Sequence, residues 1–179
     1  MRKILVLWAV SILAFTGSFR AYSQDYKYHS VFIYNFTKYV QWPPSNQNQN
    51  NSFVIGVLGN SPMMGELEKL MTKKNVGSLP IIIKKISNIS EAITCQAVFI
   101  PSHKSSQFDS DPLLRGKPIL FITETDGLGK KGSHINFVIQ DGKIRFELNQ
   151  TTILEAGLKV SSQLSILAAT VYNSGVAAR

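Results

Sequence analysis

Between positions 26 and 41 the chain alternates apolar and polar residues at steps of three and four. Tyr28, Val31, Phe32, Asn35, Phe36, Tyr39 and Val40 fall on one stripe. Such steps share one face of an α-helix, and the pattern predicts a helix over 26–41. Trp42-Pro43-Pro44 ends it, because a residue ahead of proline is pushed out of helical backbone. One amide, Asn35, sits in the stripe. A buried amide must find partners, so Asn35 is expected to tie the helix to backbone elsewhere. Positions 45–52 are almost all Asn, Gln and Ser, too polar to pack, and predict a loop.

After this loop the period changes. Phe53 to Leu58 and Ala97 to Ile100 are continuous apolar runs, closed by Gly59-Asn60 and by Pro101. They predict strands buried on both faces. Leu79 to Ile86 is a β-branched strand, and Pro118 to Thr123 is another. Ser61 and Pro62 form an N-cap and N1 pair that opens a helix reaching about Lys73. A short helix is expected over 87–94 and a helical turn over 108–115. His134 to Gln140 and Lys143 to Asn149 make a hairpin across Asp141-Gly142, a strong two-residue turn signal. In its second arm Ile144, Phe146 and Leu148 point one way, and Arg145, Glu147 and Asn149 the other. The last element reads as one long helix over 151–171, with Leu154, Leu158, Leu164, Leu167 and Ala168 facing the core. Gly157 inside it suggests a close helix approach. The order α, then β-α repeated, then strand, hairpin and helix predicts an α/β fold. It is a single-domain sandwich of a mixed, mostly parallel sheet, with helices on both faces and a C-terminal β-hairpin plus long helix.

The N-terminus changes the picture of where this domain resides. Arg2 and Lys3 precede an apolar stretch from Ile4 to Phe15, too short to span a bilayer as a helix. Ala21-Tyr22-Ser23 offers small residues for cleavage before Gln24. This predicts a signal peptide over 1–23 and an exported, periplasmic domain over 24–179. An uncleaved N-terminal anchor is the alternative. The formal charge of +8 falls to +5 once the signal's three basic residues are gone. The remaining basic residues are scattered, which excludes a nucleic-acid tract. Cys95 is the single cysteine, so no intrachain disulfide forms; beside an apolar run it is expected to act as a small buried hydrophobe.

Few motifs carry chemistry. Gly127-Leu128-Gly129-Lys130-Lys131-Gly132 matches GxGxxG, but it leads into a strand, with no helix N-terminus to hold a pyrophosphate. It reads instead as a flexible loop offering Lys130 and Lys131 to an anion or a partner. His29, His103 and His134 are dispersed, with no paired spacing for a metal. Asp109 and Asp111 read as a solvated turn, and Ser161-Ser162 lacks a nucleophile elbow. No catalytic residue, cofactor or metal is expected. Trp42, beside two prolines and a polar loop, is either an exposed interface anchor or a cap on the core.

These segments resemble one family, the YfiR/HmsC-like periplasmic regulators. The resemblance rests on Tyr34-Asn35-Phe36, Lys38-Tyr39-Val40 and Trp42-Pro43 in the first helix, and on Phe53 and Ile55 to Gly59 in the first strand. It continues through Cys95 with Val98-Phe99-Ile100, then Pro118, Leu120 and Asp126-Gly127-Leu128, and the loop from Gly132 to Phe137. It closes with Arg145 to Asn149 and Ala156 to Ala168. The resemblance implies a regulator that binds the periplasmic domain of a membrane-anchored signalling protein, such as a diguanylate cyclase, and so restrains cyclic-di-GMP and biofilm formation. It further implies a homodimer and capture by an outer-membrane lipoprotein. Better-known members of the family that this chain resembles stabilise the fold with disulfides; here Cys95 matches a family cysteine position but has no second cysteine to pair with. Partner-contact candidates are Trp42, Lys38, Lys130 and Lys131. Asn35, Phe36, Phe146, Glu147, Asn149, Gly157, Lys159 and Ser161 are motif residues with a structural reading. The alternative function is a periplasmic small-ligand-binding module, with a ligand at the strand ends.

Overall fold

The structure is a computed structural model that describes residues 17–44, 51–108 and 111–173, with side chains from Tyr26 onward. Residues 1–16, most of the expected signal, lie outside the described residues, as do 45–50 of the polar loop, Asp109 and the last six positions.

Helix α1 spans Gly17–Tyr39, so helical backbone runs through the expected cleavage point. Its buried side chains are Tyr26, His29, Ser30, Ile33, Phe36 and Thr37, and Val40 just beyond it is buried too. That stripe is rotated from the expected one: Tyr28 and Val31 face solvent at 51% and 42% exposure. Asn35 is half-buried, and its side-chain oxygen accepts from Lys38 Nζ at 3.5 Å within the same helix. The expected tie to distant backbone is therefore corrected to a local contact. Val40–Gln41 leaves the helix as strand β1.

Strands β2 (Phe53–Leu58), β4 (Leu79–Ile86), β5 (Ala97–Ile100), β6 (Leu120–Thr123) and β7 (Ile135–Gln140) lie parallel in the order β4-β2-β5-β6-β7. The first of them in the chain sits inside, and the order turns back on either side of it, as in doubly wound sheets. Strand β3 (Asn75–Val76) hairpins onto the start of β4. Strand β8 (Lys143–Asn149) pairs antiparallel to β7, with Gln140 opposite Lys143. Asp141 and Gly142 both take positive φ, 52° and 69°, as the predicted two-residue turn demands.

The central strands β2 and β5, and most of β6, are buried on both faces, and alternate residues serve two cores. Phe53, Ile55, Val57, Phe99, Leu120 and Ile122 meet α1 and helix α2 (Met63–Met71). Val54, Leu58, Val98 and Ile100 meet Ile89, Ala92 and Leu114 from 3-10 turns at Ile89–Thr94 and Pro112–Leu114. Helical elements thus cover both faces as expected, although one face carries only 3-10 turns. Ser61 Oγ accepts from Met63 N at 3.2 Å, which gives the predicted N-cap bond. Cys95 is buried at 1% exposure, and burial pushes its thiol pKa up.

The long C-terminal helix is absent. In its place stand α3 (Gln150–Glu155), strand β9 (Lys159–Val160), α4 (Ser162–Leu167) and strand β10 (Thr170–Tyr172). Gly157 is the reason. It takes φ +70°, Leu158 N–H donates to Ile153 O at 3.0 Å, and Gly157 N–H donates to Leu154 O at 2.9 Å. This is a Schellman stop, closed by buried Ile153 and Leu158. A Cβ on Gly157 would meet nothing within 4 Å, so no close helix approach explains it. Leu154 and Leu167, expected in the core, are 60% and 54% exposed. Strand β9 pairs antiparallel with β1, Lys159 against Gln41, and Ser161 N–H donates to Tyr39 O at 2.9 Å. Strand β10 then adds in parallel beside β8, started by Ala169 N–H donating to Phe146 O at 2.8 Å.

Candidate functional site

The glycine-rich loop between β6 and β7 is anchored from below. Leu128 and Ser133 close it through backbone bonds, with Ser133 N–H donating to Leu128 O at 2.9 Å. Asn149, buried at the end of β8, donates through Nδ2 to Gly129 O at 2.9 Å and accepts from Thr152 N at 3.1 Å. One side chain thus caps α3 and pins the loop. Gly129 is buried against Glu147, so close that an added Cβ would overlap the carboxylate. Glu147 in turn accepts from Asn136 Nδ2 at 2.9 Å and from Tyr172 OH at 2.8 Å. Those bonds reach inward to Thr123, whose hydroxyl donates to Asn136 Oδ1 at 2.7 Å and lies 2.8 Å from Ser133 Oγ. A polar network joined in this way, buried at Thr123, Ser133 and Asn136 and half-buried at Glu147 and Tyr172, favours one arrangement of the loop. Lys130 and Lys131 stand exposed at its tip. The backbone of Gly129, central to a GxGxxG cradle, is committed to Asn149.

Lys131 also rims a cleft of about 240 Å³ with an apolar floor of Phe108, Leu114 and Phe121, and with Arg115 and Lys117 on its edge. His134 forms part of its base. Burial holds the imidazole pKa at about 4, so it is neutral at pH 7. Its Nδ1 accepts from Phe121 N at 3.1 Å, which locks β6 to the start of β7. A second cleft, of about 230 Å³, opens at the C-terminal ends of β5 and β6, beside Tyr26, His29 and Glu124. Glu124 Oε1 accepts from Tyr26 OH and from Ser102 N, both at 3.0 Å, while burial pushes its carboxyl pKa up.

The four contact candidates are not brought together into one site. Lys130 and Lys131 share the loop. Lys38 is exposed on α1, its Nζ 4.2 Å from the Tyr34 ring centroid, with Lys74 Nζ 5.2 Å from the same ring. Trp42 is 6% exposed. Its Nε1 donates to Gln96 O at 2.9 Å, and its ring stacks edge-on against Phe53 at 4.8 Å. Of the two readings left open by the sequence, the core cap is the one observed. The motif residues fall into scaffolding: Phe36 and Phe146 pack at 5.0 Å, Glu147 and Asn149 hold the loop, Gly157 stops α3, Lys159 pairs with β1, and Ser161 Oγ caps α4. Lys74, Arg115, Lys117, Glu124 and the pinning role of His134 went unread. Their contacts join elements distant in sequence, and no local spacing announces them.

Among the described residues, no three His, Cys, Asp or Glu side chains gather in a way that could hold a metal, and no helix is long and apolar enough to cross a membrane. The fold is a doubly wound α/β domain that presents clefts and cationic loops on a rigid frame. Residues 26–169 match the YfiR/HmsC-like family, and the chain belongs to it. The family is one of periplasmic regulators of cyclic-di-GMP signalling. No curated protein matches the chain. Among solved structures it is similar to the ABC domain from Streptococcus pneumonia in complex with L-Trp, at TM-score 0.47 and 13% identity over 69% of this chain. The chain spans 56% of the length of that structure.

Proposed function

We propose that the protein is a periplasmic, non-enzymatic regulator that binds the periplasmic domain of a membrane-anchored signalling protein, a diguanylate cyclase or a similar sensor, and holds it inactive. The observation that carries this reading is the family match over residues 26–169, which spans the described domain except the start of α1 and the last strand. The mature chain would start near Gln24 after removal of residues 1–23. A homodimer and sequestration by an outer-membrane lipoprotein belong to the same reading, because release from one partner needs a competing state. Lys130 and Lys131, exposed on an anchored loop, are the leading contacts, with Lys38 on a separate face. Trp42, buried against Phe53 and Gln96, is read as part of the core and not as a contact.

The test is capture of the tagged mature protein with native membranes, followed by mass spectrometry. One membrane sensor should be recovered with the wild type and lost with Lys130→Glu/Lys131→Glu. Equal recovery by both variants would remove the loop from the interface. Background recovery alone, from folded protein, would reject the regulator.

A second reading, a small-ligand-binding module, is favoured by the apolar-floored cleft beside Lys131. It predicts ligand-dependent thermal stabilisation of the purified domain.

A further inference from the structure

At one end of the eight-stranded sheet, the two-residue strand β3 covers β4 only at its start. Strand β3 pairs Asn75 with Pro80 and Val76 with Leu79, and Ile81 N–H donates to Lys74 O at 3.2 Å. Beyond Ile81, no strand among the described residues lies on that side. Backbone polar groups alternate sides along a strand. Because Ile81 N–H points outward and Ile86 O accepts from Gly59 N on the β2 side, the N–H and C=O of Ile83 and Lys85 point outward as well. The edge is also apolar: Ile82 is 49% exposed, and Ile81 and Ile83 are half-buried. A groove of about 260 Å³ runs beside it, floored by Met71, Pro80, Ile81 and Ile83.

Charge selects the occupant. Lys73 and Lys74 stand at one end of the open edge and Lys84 and Lys85 at the other, against Glu68 on the groove rim. Lys84 Nζ is held by Thr94 Oγ1 at 3.1 Å, and Lys74 by the Tyr34 ring. A second copy of this chain would bring the same four lysines, and like charges across a strand pair are unfavourable. A strand with an apolar centre and acidic ends meets both features.

We propose that the open edge of β4, from Ile82 to Lys85, docks by strand addition an extended, acidic-flanked segment of the signalling protein that this chain binds. The identity of that protein rests on the regulator reading above; the edge itself does not.

The probe is a fluorescein-labelled peptide, Glu-Glu-Val-Thr-Val-Thr-Val-Glu-Glu, added to the mature protein and followed by anisotropy, with amide exchange at Ile83 and Lys85 read by NMR. Lys85→Pro removes one outward N–H and one charge. Lys85→Ala removes the charge alone, and Lys85→Glu reverses it at an exposed position where folding is not at stake. The account expects saturable binding, slowed exchange at Ile83, a several-fold loss in Lys85→Ala and loss beyond detection in Lys85→Pro. Lys85→Glu should shift preference towards a second probe in which the four terminal Glu are replaced by Lys. Absence of peptide binding, binding unchanged in Lys85→Pro, or a dimer in sedimentation that Lys85→Pro abolishes would overturn it. The same variants are then carried through the membrane capture. A sensor captured equally by wild type and Lys85→Pro sinks the edge and leaves the regulator. Peptide binding that is sensitive to Lys85→Pro, with no sensor captured, keeps the edge and sinks the regulator.

Discussion

Trp42 and Lys38 lie four residues apart in one motif and do opposite work. The indole of Trp42 fills space against Phe53 and donates to Gln96 O, while the same Gln96 accepts from Val54 N through Oε1 at 2.7 Å. Removing so large a buried ring leaves a cavity, so Trp42→Ala should cost about 3–5 kcal/mol in chemical denaturation. Lys38→Ala, at an exposed site, should stay within about 0.5 kcal/mol. If Trp42→Ala instead leaves the denaturation midpoint in place, the core-cap assignment is wrong. Two titratable residues set the pH response with opposite signs. His134 titrates at about 4 in the folded chain against 6.5 when free. Between those values the unfolded chain binds a proton that the folded one refuses. Its contribution is therefore whole above pH 6.5 and is lost as pH falls from 6.5 towards 4, a change of about 3 kcal/mol at 1.36 kcal/mol per unit. His134→Gln should start less stable at pH 7.5 and show a flatter decline. Glu124 has a raised pKa, so its contribution is present below its unfolded value and is lost as pH rises through the folded one. Glu124→Gln keeps the Oε1 acceptor for Tyr26 and Ser102, and should raise the melting temperature at pH 7.5 but not at pH 4.

Two glycines separate turn chemistry from packing among the elements. Gly157 needs its positive φ but has open space, so Gly157→Ala should cost only the left-handed strain of about 1–2 kcal/mol. In Gly129→Ala the added methyl strikes the Glu147 carboxylate and breaks its bonds to Asn136 and Tyr172. It should cost more than Gly157→Ala in the same denaturation series. Equal losses would mean that the loop is not anchored as described. The strands Phe53–Leu58 and Ala97–Ile100 were legible because an apolar run was closed by glycine or proline, and Leu79–Ile86 because of its β-branched run; all three stand as predicted. So was the hairpin, because Asp141-Gly142 permits few other conformations. The C-terminal helix was misread because Leu154, Leu158, Leu164 and Leu167 keep a helical period across a Gly157 that could be either interior or terminal. Only the tertiary pairing of Lys159 with Gln41, and of Tyr172 with Asn149, decides it. The rotation of the α1 stripe has a similar origin, since Tyr28 and Val31 are apolar yet point to solvent.

Across the whole molecule, the sequence pattern that marks the family serves mostly to hold the frame, and the surfaces that the described residues offer to partners are loops, clefts and the open edge of β4. Phe36, Phe146, Glu147, Asn149, Gly157 and Ser161 hold the glycine loop, the hairpin and α1 in fixed relation, so a partner that touches the loop meets a preorganised surface. Lys130 and Lys131 stand out in the sequence as candidate contacts; that they sit on an anchored loop beside an apolar cleft does not. The claim that this loop restrains a membrane cyclase is tested most directly by cyclic-di-GMP synthesis from GTP in native membranes, with the mature protein supplied to the periplasmic side. The account predicts a saturable fall in synthesis with the wild type, an undiminished fall with the scaffold variant Gly157→Ala at a temperature where it is folded, and little effect from Lys130→Glu/Lys131→Glu. Synthesis unchanged by saturating, folded wild-type protein would contradict it.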